Sequence, residues 1–466
     1  MATAVLDIGK TLTKLSLWSP GGDLLGRRTR SNAPVKGPGY AALDVSGIES
    51  WLTTALRDFG RQHHIDSIIP VGHGAAAAIV RGGSLVCPPM DYEEPMTQSE
   101  RDDYDVLRDG FMATGSPALP CSLNLGAQLF RLERRIPNLL ARGAIILPWP
   151  QYWAWLLSGV AASEVTSLGC HSDLWRPLER RPSDLAIARG WSRHLPPIRK
   201  AGDVLGRLLP TWVERTGLSP EVRVHCGLHD SNAALVSARS FAEIDGHEAT
   251  VLSTGTWFIA MRLAGPGSRA PTTLVEARDC LLNVDVDGTP VPSARFMGGR
   301  EIELALGTQQ QVDAEHQREL VQAVSRVIGS GTMALPSFVP ACGPFGKARA
   351  KWIAAPEDPI ERRAAAGLYA ALVTDASLDL VGARDRLMIE GRFAKSEVFT
   401  RALASLRPDM QVYACRSEND VSWGALRLVH PALKPGGALA RVEPLIDDLD
   451  AYRLEWTQRV NAMEAA

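Results

Sequence analysis

The chain opens on alternating apolar and polar positions. Ala4-Val-Leu-Asp-Ile-Gly9 runs through a short polar connection into Leu12-Thr-Lys-Leu-Ser-Leu-Trp18, and Ser19-Pro-Gly-Gly-Asp23 then precedes Leu24-Leu25. Period-two patterning with Gly and Pro at the joints predicts a β-meander. From Gly47 to Gln62 the period lengthens, with Leu52, Leu56 and Phe59 on one stripe, which predicts a helix; Ser67-Ile-Ile-Pro-Val71 reads as a short buried strand. Strands alternating with helices predict an α/β architecture. The longest apolar stretch, Ala144 to Ala162, is interrupted by Pro148, Pro150 and Gln151. A spanning helix needs about 20 predominantly apolar residues, so a buried turn and helix are expected there instead. A last amphipathic helix is expected from Leu445 to about Val460.

The opening grammar recurs halfway along the chain. Thr250-Val-Leu-Ser-Thr-Gly-Thr256, followed by Trp257-Phe-Ile-Ala-Met261, shares Val-Leu-x-x-Gly with Val5-Leu-Asp-Ile-Gly9. A strand, a Gly turn and a strand heading each half predict a duplicated two-domain protein. The boundary is expected around Phe241 to His247, after the helical run Ser231 to Ala238, giving domains 1–242 and 243–466.

Composition narrows the function classes. Across 466 residues, Lys and Arg number 50 against 52 Asp and Glu, a formal net charge of −2. No general attraction to nucleic acid or to an anionic membrane is expected from that balance. The 45% hydrophobic content and mean hydropathy of −0.05 are those of a globular chain. Seven cysteines (Cys87, Cys121, Cys170, Cys226, Cys280, Cys342, Cys415) are odd in number, scattered and never in a CxxC pair. That disfavours a disulfide framework or a zinc site and suggests reduced, mostly buried thiols. The segment Met1 to Asp7 lacks a basic region and carries a charge in its apolar run, unlike a signal peptide, and a cytoplasmic location is expected.

The candidate chemistry sits at the Gly turns and strand ends. In Asp7-Ile-Gly-Lys-Thr11, Gly9 would let backbone N–H groups approach a phosphate closely, Lys10 adds a point charge and Thr11 a hydroxyl. Asp7, at a strand end, is placed to hold Mg²⁺ through water, since that ion keeps much of its hydration; a plain hairpin turn would use the same residue types. Gly9-Lys-Thr is not the end of a Walker A loop, because Ala4 stands where its first Gly is needed and a strand follows instead of a helix. Gly329-Ser-Gly331 follows a helical run instead of a strand and reads as a helix terminus and loop. The second turn, with Ser253, Thr254, Gly255 and Thr256, offers three hydroxyls suited to phosphate oxygens; if the halves face each other, both turns could grip one polyphosphate.

In Val222-Arg-Val-His-Cys-Gly-Leu-His-Asp230 an apolar strand runs into Gly227 and a helix is expected after Asp230. Asp230 fits an N-cap, and beside His229 it equally fits a base accepting the proton of an attacking hydroxyl. His73, between Gly72 and Gly74, fits a crevice residue or a structural histidine. Asp91 and Tyr92 follow Cys87-Pro-Pro-Met90 on a rigid loop suited to polyol recognition or to a surface turn.

Taken together in this order, these residues resemble the FGGY family of carbohydrate kinases, within the actin/hexokinase/Hsp70-like fold. Asp7-Ile-Gly-Lys-Thr11 looks like the first phosphate loop and Gly72-His-Gly-Ala75 the early sugar-contacting segment. Leu123-Asn-Leu-Gly-Ala-Gln-Leu129 and Glu164-Val-Thr-Ser-Leu-Gly169 are similar to landmarks of the N-terminal domain. Gly227-Leu-His-Asp230 looks like the segment with the catalytic base, and Leu252-Ser-Thr-Gly-Thr-Trp257 like the second phosphate loop. Phe296-Met-Gly-Gly-Arg-Glu301 and Ile389-Glu-Gly-Arg-Phe-Ala-Lys-Ser396 resemble C-terminal-domain motifs, the latter the adenosine turn. The resemblance implies two duplicated actin-like (ribonuclease H-like) domains, with mixed sheets flanked by helices and an interdomain cleft.

It also implies ATP- and Mg²⁺-dependent phosphorylation of a small sugar, a ketose of the xylulose, fuculose or rhamnulose type. Asp230 would be the base and Asp7 the indirect Mg²⁺ ligand, with His73, His229, Asp91 and Tyr92 contacting sugar. Gly9, Lys10, Thr11, Thr254, Gly255 and Thr256 would hold phosphates, and Gly391 and Arg392 would face adenosine. Two departures stand out: Arg392 replaces the second of two paired glycines, and Lys10 replaces a small residue. A catalytically impaired nucleotide- and sugar-binding regulator of the same fold, an actin-like assembly protein and a kinase using another phosphoryl donor are the alternatives. The expected partner is a small sugar, with neither nucleic acid nor membrane; the oligomeric state stays open, a homodimer included.

Overall fold

The meander forms where the alternation placed it. In the computed structural model, which describes residues 1–267, 273–308, 316–416 and 421–465, β1 (Thr3–Ile8), β2 (Leu12–Trp18) and β3 (Leu24–Ser31) run antiparallel in sequence. The first predicted helix spans Val45–Gly60, N-capped by Asp44, whose carboxylate accepts the Gly47 N–H at 2.9 Å. Its Ile48, Leu52, Leu56 and Phe59 are buried, and they belong to the core that β1 and β2 also line. The chain then returns as β4 (Ser67–Gly72), parallel to β1. β5 (Val204–Arg207), β6 (Arg223–His225) and the two-residue β7 (Leu228–His229) complete a sheet of order β5-β6-β4-β1-β2-β3, with β7 also on β4. The apolar stretch from Ala144 becomes a strand, Ile145–Pro148, and a mostly buried helix, Trp149–Ser158.

The chain folds as two units. The first comprises Met1–Ser240, Leu282–Pro290 and Asn419–Gly436; the second comprises Phe241–Leu281, Val291–Glu418 and Gly437–Ala466. In the first, helix Val421–Val429 lies against helix Asp230–Ala238 so closely that a Cβ on Gly424 would stand 1.7 Å from the Ala233 carbonyl. Trp423 on the same helix meets Trp18 edge to face, with ring centroids 5.5 Å apart.

A second sheet, in the second unit except for Leu282–Val284 and Pro290, comprises β8 (Ala249–Thr254), β9 (Phe258–Leu263), β10 (Cys280–Val284), β11 (Pro290–Phe296), β12 (Arg386–Gly391), β13 (Gln411–Cys415) and β14 (Leu439–Arg441). Their order is β10-β11-β9-β8-β12-β13-β14. The two sheets share one grammar. In each, the first strand of an antiparallel meander pairs in parallel with a strand that arrives after a long excursion, β4 on β1 and β12 on β8, and a further parallel strand follows. The register is equivalent as well: Ile8 lies opposite Gly72, and Thr254 opposite Gly391.

Helix Pro359–Val381 is the one helix among the described residues long and apolar enough to cross a membrane, and 78% of its apolar window is buried, as in a core helix. The last helix spans Asp450–Ala465, later than the pattern suggested. Leu445 and Leu449 are buried from an irregular segment after Pro444, and the Asp448 carboxylate accepts the Asp450 N–H at 2.9 Å, which sets the start of the helix. No disulfide joins any of the seven cysteines, five of which are buried.

Candidate active site

The first Gly turn is held by main chain and by one amide. Gly9 N–H donates to the Leu12 carbonyl at 3.1 Å, and Asn32 Nδ2 donates to the Gly9 carbonyl at 2.8 Å. Asp7 and Lys14 are directly opposed across β1 and β2, with Lys14 Nζ 2.9 Å from Asp7 Oδ2. Lys14 was missed in the sequence, although the strand-turn-strand pattern carries the signal, because the hairpin register alone puts it opposite Asp7.

Lys10 turns toward the 91–93 loop. Its ammonium is ion-paired with Asp91, stands 3.3 Å from Glu93 Oε2 and lies 4.9 Å over the Tyr92 ring. The Asp91 side chain is almost wholly buried, its Oδ1 accepting the Glu93 N–H at 2.9 Å. Tyr92 in turn packs edge-on against His73, with ring centroids 5.4 Å apart. Burial lifts the Tyr92 phenol to about 12, with help from Glu93, Asp91 and Asp230. Burial, His229, Lys10 and His171 together hold His73 down to about 3. Thr11 is exposed on the same turn.

The segment before Asp230 is forced into place by backbone geometry. Gly227 has φ +79°, and a Cβ there would sit 2.1 Å from the Pro70 carbonyl. Leu228 and His229 then pair with Val71 and Gly72, which brings His229 beside the start of the Gly72-His-Gly74 turn. The N-cap of the following helix is His229, and Asp230 is its first residue. The Asp230 carboxylate bonds neighbours of its own: Oδ1 accepts the Ser231 N–H at 2.6 Å and the Ser231 hydroxyl at 3.2 Å. His229 Nε2 lies 3.2 Å from the same oxygen. As the amide is oriented, Asn232 Nδ2 donates to His229 Nδ1 at 3.3 Å, which puts the ring proton on Nε2.

Oδ2 has no hydrogen-bond partner among the described residues. Burial lifts the Asp230 carboxyl to about 6, against the lowering pull of the Ser231 bonds and Lys14, although 30% of the side chain remains exposed. Burial also drops His229 to about 4, so this histidine is neutral at pH 7 and its contact with Asp230 is not an ion pair.

Glu164 supports this segment from behind. Fully buried, its Oε2 accepts Thr166 N–H at 3.0 Å and Ser167 N–H at 3.2 Å, and the Thr166 hydroxyl accepts His229 N–H at 3.1 Å. Burial lifts its carboxyl to about 7.

In the second unit the Gly turn repeats the first. Gly255 N–H donates to the Trp257 carbonyl at 2.9 Å, and Thr256 is exposed at the tip. Thr254 is buried, and its hydroxyl is spent on main chain: it donates to the Glu390 carbonyl and accepts Phe393 N–H at 3.1 Å. Gly391 has φ +84°, and a Cβ would sit 2.2 Å from the Thr254 carbonyl. The Arg392 guanidinium lies 4.7 Å over Phe393 and 3.7 Å from Glu303 Oε1, 40% exposed, so it is drawn toward its own unit's side chains. Glu390, beside Ser253 in the strand register, is lifted to about 7 by burial.

No group of three or more His, Cys, Asp or Glu side chains suited to a metal occurs among the described residues. A hydrated Mg²⁺ needs one or two carboxylates, and buried Asp7, at the mouth of a turn whose backbone a Cβ would crowd, fits that demand.

Two sheets of matching topology, each with a Gly turn beside a parallel strand end, define an α/β protein of the two-domain actin-like fold. The sequence model for "Carbohydrate kinase FGGY, C-terminal domain" matches residues 246–436. A carbohydrate kinase from Novosphingobium aromaticivorans, known from its crystal structure, is 52% identical over 99% of this chain and 98% of its own, with a TM-score of 0.95. A rhamnulokinase from Halalkalibacterium halodurans is 27% identical over 33% of this chain, and an L-fuculokinase from Haemophilus influenzae is 38% identical over 17%. These last matches span only 31% and 16% of the two relatives' own lengths. The chain belongs to the FGGY family of carbohydrate kinases.

Proposed function

We propose that the chain transfers the γ-phosphoryl group of ATP to a hydroxyl of a small ketose, of the rhamnulose, fuculose or xylulose type, with Asp230 as the general base. The observation that carries this reading is the Asp230 carboxyl: lifted to about 6, oriented through Oδ1 by Ser231, with His229 beside it, and open at Oδ2. The acceptor hydroxyl gives its proton to Oδ2 and its oxygen bonds to Pγ. The bond from Pγ to the bridging oxygen breaks, and the electron pair leaves with ADP. Such transfers pass through a loose transition state, in which orientation and charge neutralisation matter more than base strength.

His73, Asp91, Tyr92 and His229 offer ring, carboxylate and phenol groups for the sugar hydroxyls. The turns at Gly9 to Thr11 and Gly255 to Thr256 offer backbone N–H groups for phosphates, while Gly391 and Arg392 would face the adenosine. Asp7 would hold Mg²⁺, which when bound neutralises charge on the phosphates. The names of the rhamnulokinase and the fuculokinase favour a deoxyketose among these acceptors.

Replacing Asp230 by Asn keeps the side chain's shape and removes its basicity. Loss of a general base costs about 10²- to 10⁴-fold in rate, so sugar-dependent ADP formation is expected to fall by that factor while calorimetric sugar binding persists. Turnover within a few-fold of the parent would remove Asp230 from the role.

A further inference from the structure

We infer that the acceptor is an uncharged polyhydroxy compound and that Lys10, Asp91 and Glu93 together discriminate against sugar acids. The inference rests on the kinase reading above and concerns the same site. Around Asp230 and His73, the first unit gathers the carboxylates of Asp7, Asp91, Glu93 and Asp230 against the ammonium groups of Lys10 and Lys14.

Both lysines are committed. Lys14 is bound to Asp7 at 2.9 Å, and Lys10 is held between Asp91 and Glu93 with Tyr92 beneath it. Arg30, beyond the first turn, is taken by Asp44 and by Asn32 Oδ1 at 2.8 Å. The two histidines that line the site are neutral at pH 7, since burial holds them at about 3 and about 4.

A carboxylated acceptor would therefore meet like charges, with Lys10, Lys14 and Arg30 of the first unit already paired. It could recruit Lys10 only by pulling that ammonium out of a contact with two carboxylates, one of them almost fully buried and left unpaired by the move. A neutral polyol has no such demand. Its hydroxyls can donate to Asp91 and Glu93 and accept from Lys10 and Tyr92 with the ion pairs intact.

Glu93 is the adjustable member. Its side chain is 68% exposed, against 2% for Asp91, so it can be neutralised without leaving a buried charge alone. Glu93→Gln removes one negative charge and loosens Lys10 from one of its two partners. At the separations within this cluster, one charge changes the relative preference for an anion by about tenfold.

The test uses the full chain with five- and six-carbon ketoses and alditols, each paired with the aldonate of matching stereochemistry. ADP release with ATP and Mg²⁺ is followed alongside calorimetric binding of each acceptor. Neutral members should exceed their aldonates by at least about a hundredfold in kcat/KM, and Glu93→Gln should narrow that ratio about tenfold by raising the aldonate value. Aldonates used as well as their neutral partners, or a ratio that Glu93→Gln leaves unchanged, would overturn the inference. If no acceptor of either kind releases ADP, the kinase reading fails, and the binding titrations decide the charge preference alone. Tighter binding of the neutral members then upholds it; equal binding, or none of either, ends it.

Discussion

His229 Nε2 stands 3.2 Å from Asp230 Oδ1, the oxygen that Ser231 bonds, and the other carboxylate oxygen has no hydrogen-bond partner among the described residues. A neutral imidazole thus lies beside the carboxylate without neutralising it, and Ser231 orients it. The arrangement follows from His229 lying in a two-residue strand on β4 while Asp230 begins the next helix.

The first prediction concerns pH. Burial lifts the Asp230 carboxyl to about 6, and a carboxylate in the proposed role of base must be ionised to act. kcat/KM should fall as pH drops through 6, approaching a tenfold loss per unit below it. His73 and His229, at about 3 and about 4, should add no limb between pH 6 and 8. In Asp230→Asn the limb at 6 should vanish from the residual rate. A limb that survives this substitution would belong to another group.

Glu164 makes a prediction about stability. Its folded-state value of about 7 lies above the ordinary 4.5, so the folded protein binds a proton that the unfolded chain has lost between those values. Its stabilising share is complete below 4.5 and is lost as pH rises through 7. Glu164→Gln should therefore compare more favourably with the parent at pH 8 than at pH 5, read as the difference in Tm. A constant difference across that range would mean the carboxyl titrates normally.

The proposed Mg²⁺ duty of Asp7 can be tested directly. Asp7→Asn keeps the hydrogen-bonding shape but removes the charge that Lys14 and a hydrated cation would share. The Mg²⁺ concentration for half-maximal ADP formation at fixed ATP is expected to rise about tenfold or more. Lys14→Met should leave that requirement within a few-fold of the parent while destabilising the hairpin. An unchanged Mg²⁺ requirement in Asp7→Asn would remove the carboxylate from that duty.

Gly391 is a steric test of the second turn. With φ at +84° and the Thr254 carbonyl 2.2 Å from any Cβ, alanine can be accommodated only by moving backbone. Gly391→Ala should cost at least about 2 kcal/mol in denaturant unfolding and raise the KM for ATP more than that for sugar. Parent-like stability would mean that β12 can shift away from β8.

Much of the site could be read from the chain because its parts are local. Gly9 and Gly255 each sit in a turn whose two flanking strands alternate plainly, so the hairpins and the parallel between the halves were legible. Asp230 stood out as an acid at a strand end. Its exact seat did not, because the register of β7 on β4 depends on a contact between residues 228–229 and 71–72. Lys10 looked like a phosphate ligand from its neighbours in sequence, whereas its ion pairs are with residues 81 and 83 positions away.

The sequence alone determined the elements, the repeated strand-turn-strand and the order of motifs, since periodicity and glycine placement act over a few residues. Tertiary structure decided how those elements serve the site: helix Val421–Val429 returns from late in the chain to brace the Asp230 helix, with glycine at the contact. It also decided which charges are spent and which remain open. Ion pairing and desolvation depend on groups brought together from distant positions, and no local pattern encodes that sum.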